Sequence, residues 1–398
     1  MRVFLHDYGG YAFTVQLGRV LAGRGHQVKY SYSLTTQLVQ RFKTRPEFEH
    51  FTVEGVQLAC PFNRYNYLRR RRDEKNHGCL IAEQVRAFHP DIVLSANTPL
   101  DAQKLIQIAC REVGAKFIFW MQDIIGLATK KALSSSIPIL GSLIGDHYLR
   151  LERSLVQASD EVVVISADFL DYLQGRGSDI ELIHVIPNWA PLEEIPMLPR
   201  DNPWSRAHDL SDKFVFLYTG VLGLKHDPRM ILSLAESFDQ QPDVRVVVVS
   251  EGPFADALKS AMRSNGLDNL ILIPYQPAEV YPEMLSSADV LMTILKPDAS
   301  VYSVPSKVYT YMCAARPQLL SISASNPVAK QVIENQMGLV SDPGDVDAWL
   351  GNAYALYQNR YNNHQMGHNA RDYAEAHFDI QHIADLFEAI MCNALKGS

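Results

Sequence analysis

Apolar positions along this chain come in short dense runs separated by longer stretches of mixed character. In the first half the runs are RVFLH (2–6), QVKYSYS (27–33), DIVLSA (91–96), KFIFWM (116–121), EVVVIS (161–166) and IHVIP (183–187). The stretches between them have the amphipathic period of helices, so the alternation predicts a doubly wound α/β layer on a parallel sheet. The same alternation returns at FVFLYTG (214–220), VRVVVVSEG (244–252), NLILIPY (269–275), DVLMTI (289–294), QLLSIS (318–323) and MGLVSD (337–342). Pro187, Pro191, Pro196, Pro199 and Pro203 lie between the two series and favour an extended surface linker. The expected organisation is a Rossmann-like domain over 1–190, a linker over 191–210, a second Rossmann-like domain over 211–376, and a closing helix over 377–398 capped by Asp379.

Composition narrows the class of protein without changing that outline. A chain of 398 residues with 47% hydrophobic and 20% charged residues can bury two cores without staples. Cys60, Cys79, Cys110, Cys313 and Cys392 form no CxxC pair and no metal spacing, which suits a reducing compartment. The opening MRVFLHDYGG reads as strand and loop rather than an export signal, so a cytoplasmic location is expected. The longest apolar stretches are far below the roughly 20 residues that span a bilayer. A net charge of -7 argues against general nucleic-acid affinity, because phosphates demand a basic face.

Two open α/β sheets bind ligands at the carboxyl ends of their strands, so the chemistry is expected at the strand exits. These exits carry Asp7-Tyr8-Gly9-Gly10, Gln122-Asp123, Gly220 to Lys225, Ser250-Glu251-Gly252-Pro253, Tyr275-Gln276-Pro277 and SVPSKVYTYM (303–312). Glycines there let backbone approach a ligand, and helix starts offer N–H groups to an anion. No HExxH, GxSxG, Walker A or GxGxxG motif is present. Asp345-Val346-Asp347 imitates a metal-binding DxD, but it precedes an amphipathic stretch and is better explained as a helix cap.

The segments GGYAFTVQLGRVLAGRGHQV (9–28), VVVISADFLDYLQGRG (162–177), IPNW (186–189), YTGVLGLKHDP (218–228), SEGP (250–253), IPYQPAEVYPEMLSSADV (273–290) and SVPSKVYTYMCAARP (303–317) resemble, in order, landmarks of the retaining GT-B glycosyltransferases of family 4. The likeness is greatest to the bacterial branch that builds O-antigen, colanic acid and other exopolysaccharides. It implies transfer of a sugar from a nucleoside diphosphate, UDP above all, to a hydroxyl of a glycan or polyprenyl-diphosphate-linked acceptor with retention. It further implies that the second domain holds the donor, that the first holds the acceptor, and that no metal or other cofactor is needed.

On that resemblance Lys225 is the diphosphate-binding lysine, with the alternative of a solvated loop lysine, and Arg229 either assists or points outward. Ser306, Lys307 and the amides of Ser303 and Val304 would lie nearest the phosphates, with Ser306 as a mere helix cap being the alternative. Thr310 would lie near the ribose, Glu251, Tyr275 and Gln276 near the nucleoside, and Gly220 at the loop that approaches the donor. Gly9 and Gly10 form a loop able to bring backbone amides to the diphosphate, or simply a tight strand-to-helix turn. Asp123 is the candidate to orient or deprotonate the acceptor hydroxyl; the alternative is an N-cap for the helix that follows. His6 is expected to be packed. Tyr302 and Thr310 stand where many relatives carry glutamates, so a nucleotide-sugar epimerase and a non-catalytic partner protein remain as alternatives. The basic run NRYNYLRRRRDEKNHG (63–78) reads as a solvated face or, with SIPILGSLIG (136–145), as a peripheral contact with the inner face of the cytoplasmic membrane.

Overall fold

The computed structural model describes residues 1–34, 50–58, 67–177, 180–301, 303–361 and 363–396, so Cys60, Tyr302 and residues 63–66 of the basic run lie outside the described residues. The chain divides into two compact units, Met1–Asn188 with Asp379–Ser398, and Trp189–Phe378.

The first unit is a seven-stranded sheet of β1 (Arg2–Asp7), β2 (Gln27–Ser33), β3 (Phe51–Val56), β4 (Ile92–Ala96), β5 (Lys116–Met121), β6 (Glu161–Val164) and β7 (Ile183–Val185). Their order is β3-β2-β1-β4-β5-β6-β7, and every pairing is parallel. β3 is the strand that hydropathy does not predict. It is an edge strand with a single neighbour, so Thr52 and Glu54 can face outward and break the apolar run; Lys29 on β2 pairs with Glu54 at 2.7 Å. The helix Ile380–Lys396 completes this unit: Asp379 caps it through the Gln381 N–H at 2.9 Å, and Phe387 packs on Trp120 of β5 with ring centroids 4.8 Å apart.

The second unit is a six-stranded parallel sheet of β8 (Phe214–Thr219), β9 (Val244–Val249), β10 (Leu270–Ile273), β11 (Val290–Ile294), β12 (Gln318–Ser321) and β13 (Gly338–Ser341), in the order β10-β9-β8-β11-β12-β13. FVFLYT of β8 is buried at every position because helices cover both sheet faces, which is why it reads as an unbroken apolar run. In both sheets the strand order reverses direction once, between β1 and β4 and between β8 and β11. At such a switch point the two exit loops diverge and leave a crevice.

The proline-rich stretch keeps an exposed course at Glu193, Glu194, Pro196, Met197 and Pro199 but is anchored to the second unit at intervals. Trp189, Ile195 and Trp204 are buried, and Pro203 occupies the first turn of a helix, Pro203–Ala207, where its missing N–H costs nothing. Asn202 closes a capping box there, and its side-chain amide reaches the Glu283 carbonyl at 3.0 Å. Arg200 grips Asp289 with Nε 2.9 Å from both carboxylate oxygens.

Candidate functional site

The switch point of the second sheet is built by residues 220–226 after β8 and by residues 295–301 and 303–306 after β11. The first segment is pinned from three sides. The Tyr218 hydroxyl donates to the Val221 carbonyl at 3.0 Å, the Leu222 N–H donates to Ser250 Oγ at 3.2 Å, and the Gly223 N–H donates to His226 Nδ1 at 2.9 Å. Gly220 has φ +111°, a conformation that a side chain would strain. A Cβ there would meet Lys307 Nζ at 3.3 Å, so the bare backbone lies directly against the ammonium.

The second segment is held by Asn326, a buried residue at the start of the helix Pro327–Glu334. Its amide donates to the carbonyls of Ser300 at 2.7 Å and Ser303 at 3.0 Å, while its oxygen accepts the Val328 N–H at 3.2 Å. Ser303 is thereby placed to accept from Lys225 Nζ at 3.0 Å. Lys307 opens the helix Lys307–Cys313, and its ammonium lies 3.7 Å from the centroid of the Tyr218 ring. That helix is tied to the end of β8 by the Tyr311 hydroxyl, which accepts the Thr219 N–H at 3.2 Å.

Three cations therefore converge here. Burial, with the charges of Lys307, Lys225 and Lys296, pushes the His226 imidazole down to about 3. His226 thus stays neutral at physiological pH; Nδ1 accepts from the loop and the ring proton is left on Nε2. A group of lysines around a glycine loop is chemistry suited to an anion bearing more than one charge.

The predicted residues fall as follows. Gly220, Lys225, Ser303 and Lys307 come together at this switch point, and Val304 is buried beside Ser303. Ser306 precedes the helix without a side-chain capping bond, and Thr310 lies one turn on along the same helix. Glu251 accepts the Tyr275 N–H at 3.0 Å, and Gln276 accepts the Trp204 indole N–H at 3.1 Å, so these three shape the exits of β9 and β10. Arg229 is turned to Asp227, with Nη2 2.6 Å from the carboxylate, and takes no part in the lysine group. Asp345 caps its helix through the Ala348 N–H at 3.0 Å, and no metal-ligand cluster occurs among the described residues.

At the switch point of the first sheet, Asp7 organises the glycine loop. Its carboxylate accepts the Gly9 N–H at 2.8 Å, the Tyr11 N–H at 2.7 Å and the Thr14 hydroxyl at 3.0 Å. Burial nevertheless pushes the carboxyl up to about 6, against those hydrogen bonds. A Cβ on Gly9 would lie 2.3 Å from the Tyr11 ring and 3.0 Å from Asn97 Nδ2, so those side chains would have to shift to admit one, while Gly10 has φ +68°. Burial first, then the charges of Asp7 and Asp123, raise the Tyr11 phenol, which places Asp123 beside this cluster. The helix Ile125–Ser136 is entered from Ile124, so Asp123 is not its cap. His6 is packed, as expected: buried, its Nδ1 donates to the Ser31 carbonyl at 3.0 Å, and its ring lies 5.2 Å from that of His77.

Tyr218, His226 and Asn326 are given no role by sequence reasoning, and Asp7 is named there only as part of a strand exit. Asn326 before Pro327 carries a capping signal, but its second role toward Ser300 and Ser303 joins loops distant in sequence. For His226, asparagine retains an acceptor for the Gly223 N–H and phenylalanine does not. Titration calorimetry with inorganic diphosphate should show His226→Phe weakened about tenfold, the worth of one such hydrogen bond, and His226→Asn much less. Because the folded state keeps this imidazole below its unfolded value, the unfolded chain takes up the proton first. Stability is therefore lost as pH falls from 6.5 toward 3. Urea midpoints measured at neutral pH and at about pH 4.5 should accordingly converge in His226→Asn relative to the unsubstituted protein.

Known proteins share both units. Residues 9–189 match the model of the glycosyl transferase 4-like domain, and residues 201–373 match that of glycosyl transferases group 1. WcaI of Escherichia coli (strain K12), whose name assigns it to colanic acid biosynthesis as a glycosyl transferase, is 22% identical over 315 residues, covering 76% of this chain and 74% of its own. The structure of Anabaena HepE in complex with UDP-glucose superimposes with TM-score 0.73 at 14% identity over the whole of both chains. Sucrose-phosphate synthase of Thermosynechococcus elongatus does so with TM-score 0.76 at 14% identity, again over the whole of both chains. The two parallel-sheet units are those of the GT-B fold.

Proposed function

We propose that this chain, a glycosyl transferase 4-like domain followed by a glycosyl transferases group 1 domain on the GT-B fold, transfers a sugar from a nucleoside-diphosphate donor to a hydroxyl. The observation that carries the proposal is the meeting of Gly220, Lys225, Ser303 and Lys307 at the switch point of the second sheet. When the bond from the anomeric carbon to the phosphate oxygen breaks, negative charge grows on the leaving diphosphate. Two ammoniums already held at the loop, with backbone lying against one of them, stabilise that charge without reorganising. They can do so without a divalent ion, so turnover that persists in a chelator is expected.

UDP is the first donor to test, because HepE, which shares the fold, binds UDP-glucose. The match to WcaI supports a place in bacterial surface polysaccharide synthesis, with a glycan or polyprenyl-diphosphate-linked acceptor. Transfer with retention follows from the resemblance of the ordered motifs to family 4. In that reaction the acceptor oxygen attacks the face from which the phosphate leaves, and the acceptor proton passes to the leaving phosphate oxygen. Asp123, beside Tyr11 and Asp7 at the exits of the first sheet, is assigned to orient the acceptor hydroxyl rather than to take its proton outright.

The experiment is a donor panel assayed for nucleoside diphosphate release with and without lipid-linked acceptor. Acceptor-dependent release with a new glycosidic product is expected. Donor epimerised in the absence of acceptor assigns an epimerase instead, and no conversion of any donor overturns the proposal.

A further inference from the structure

We propose that the tip of the helical hairpin Ile125–Ser136 and Pro138–Gln157 in the first unit inserts its aliphatic side chains into an anionic lipid surface. Exposed large apolar side chains elsewhere in the described residues are scattered, as on any protein surface. Here four fall within seven positions: Ile137 is 53% exposed, Ile139 83%, Leu140 55% and Leu143 63%. Such a grouping at one projecting turn is what an interaction surface presents.

The grouping is held rigidly by the packing of the hairpin. Gly141 and Gly145 lie one turn apart on the inner face of the second helix. A Cβ on Gly141 would lie 2.1 Å from the Leu133 carbonyl oxygen, and one on Gly145 would lie 2.6 Å from Lys130 Cα. Only glycine permits so close an approach, and with that face turned inward Ile139, Leu140 and Leu143 are turned away from the partner helix. The buried carboxylate of Glu152 accepts the Gly126 N–H at 2.8 Å, which ties the start of the first helix to the end of the second.

Charge selects the occupant. Behind the aliphatic tip, exposed His147 and Arg150 continue the stripe of Leu143 at helical spacing, with Arg153 beyond them. The arginine run abuts the same helix: the Arg71 guanidinium lies 5.8 Å from the Tyr148 ring and binds Asp101, which also accepts the Tyr148 hydroxyl at 2.6 Å. Residues 67–75 and 125–157 with Asp101 carry nine Lys or Arg against five Asp or Glu, in a chain whose formal charge is -7; Arg70, Arg71, Lys75 and Lys130 are taken up in ion pairs with Glu74, Asp101 and Asp146, so exposed Arg150 and Arg153 lead the cationic collar. An apolar wedge backed by a cationic collar matches the acyl and headgroup layers of an anionic bilayer. A second copy of the chain fits poorly, since a symmetric contact would bring like-charged collars together. No helix among the described residues is long and apolar enough to cross a membrane, so the contact is interfacial.

Its use in presenting a lipid-linked acceptor rests on the proposed transfer, whereas lipid binding itself does not. The test is flotation of the full chain with vesicles of equal parts phosphatidylglycerol and phosphatidylcholine, and with phosphatidylcholine alone. Binding is expected to the anionic vesicles only, weakened by salt, and reduced about tenfold or more in Ile139→Asp/Leu143→Asp. Arg150→Glu/Arg153→Glu should reduce it as well. Thermal melts and far-ultraviolet circular dichroism of the full chain, unchanged in these variants, report that they fold. Failure to float with either vesicle, equal flotation with both, or unaltered flotation of the aspartate variant overturns the proposal. A dimer seen by light scattering and abolished by the aspartates, without flotation, assigns the face to a second copy. Lipid binding without sugar transfer leaves this inference standing and removes only the proposed reaction.

Discussion

Replacing Lys307 or Lys225 with alanine is expected to lower acceptor-dependent release of nucleoside diphosphate by about 10²–10³-fold at saturating donor, the usual cost of one preorganised electrostatic group. Both ammoniums are positioned before any ligand arrives, one over the Tyr218 ring and against Gly220, the other on Ser303. Their attraction grows as charge builds on the leaving phosphate, so the loss should fall on turnover more than on donor affinity. Lys307→Arg should not restore activity. A planar guanidinium does not fit where the ammonium lies 3.7 Å from a ring centroid and 3.3 Å from where a Cβ on Gly220 would stand. Turnover within threefold of the unsubstituted protein, in variants whose thermal melts are unchanged, would remove the lysines from the chemistry. The assay is therefore paired with calorimetry.

Asn326→Ala should be the most damaging single change among the residues that only shape the site. It removes two donors to the buried Ser300 and Ser303 carbonyls and the acceptor for the Val328 N–H. Two carbonyls left without a partner, together with a lost cap, cost about 2–4 kcal/mol. In a unit of this size each kcal/mol lowers Tm by roughly 2–4 °C, so a drop near 10 °C is expected by scanning calorimetry. Asn326→Asp separates the two roles. Its carboxylate still accepts from Val328 but cannot donate to the carbonyls, so it should be nearly as unstable as the alanine variant. If aspartate instead melts like the unsubstituted protein, the cap is what matters and the clamp on Ser303 is not.

Much of the fold is legible in the sequence, because burial on both sheet faces writes strands as short apolar runs, and their regular alternation with longer amphipathic stretches sets them apart from helices. FVFLYT and VRVVVV are found by hydropathy alone, whereas FTVEGV is not, since an edge strand is free to alternate with Thr52 and Glu54. The prolines of 187–203 mark a change in the chain, but Pro203 is compatible with a helix start as well as with a linker. Only the capping box of Asn202 decides between them. The glycine and lysine positions of the loop after β8 stand out because strand exits are where open sheets bind. Arg229 was equally eligible by position, and its pairing with Asp227 two residues earlier withdraws it.

Two doubly wound layers, the strand exits where open sheets of this kind bind ligands, and the residues that stand at them are readable along the chain. These follow from local periodicity and from backbone rules that act within a few residues. Packing alone brings Lys307 to Gly220, lets Asn326 hold Ser303 for Lys225, keeps His226 neutral through burial and then the nearby lysines, and has Asp7 carry the loop of Gly9. Each depends on hydrogen bonds, charges or contacts between segments brought together by parallel pairing and helix packing, often across dozens of residues, and no pattern along the chain encodes those distances.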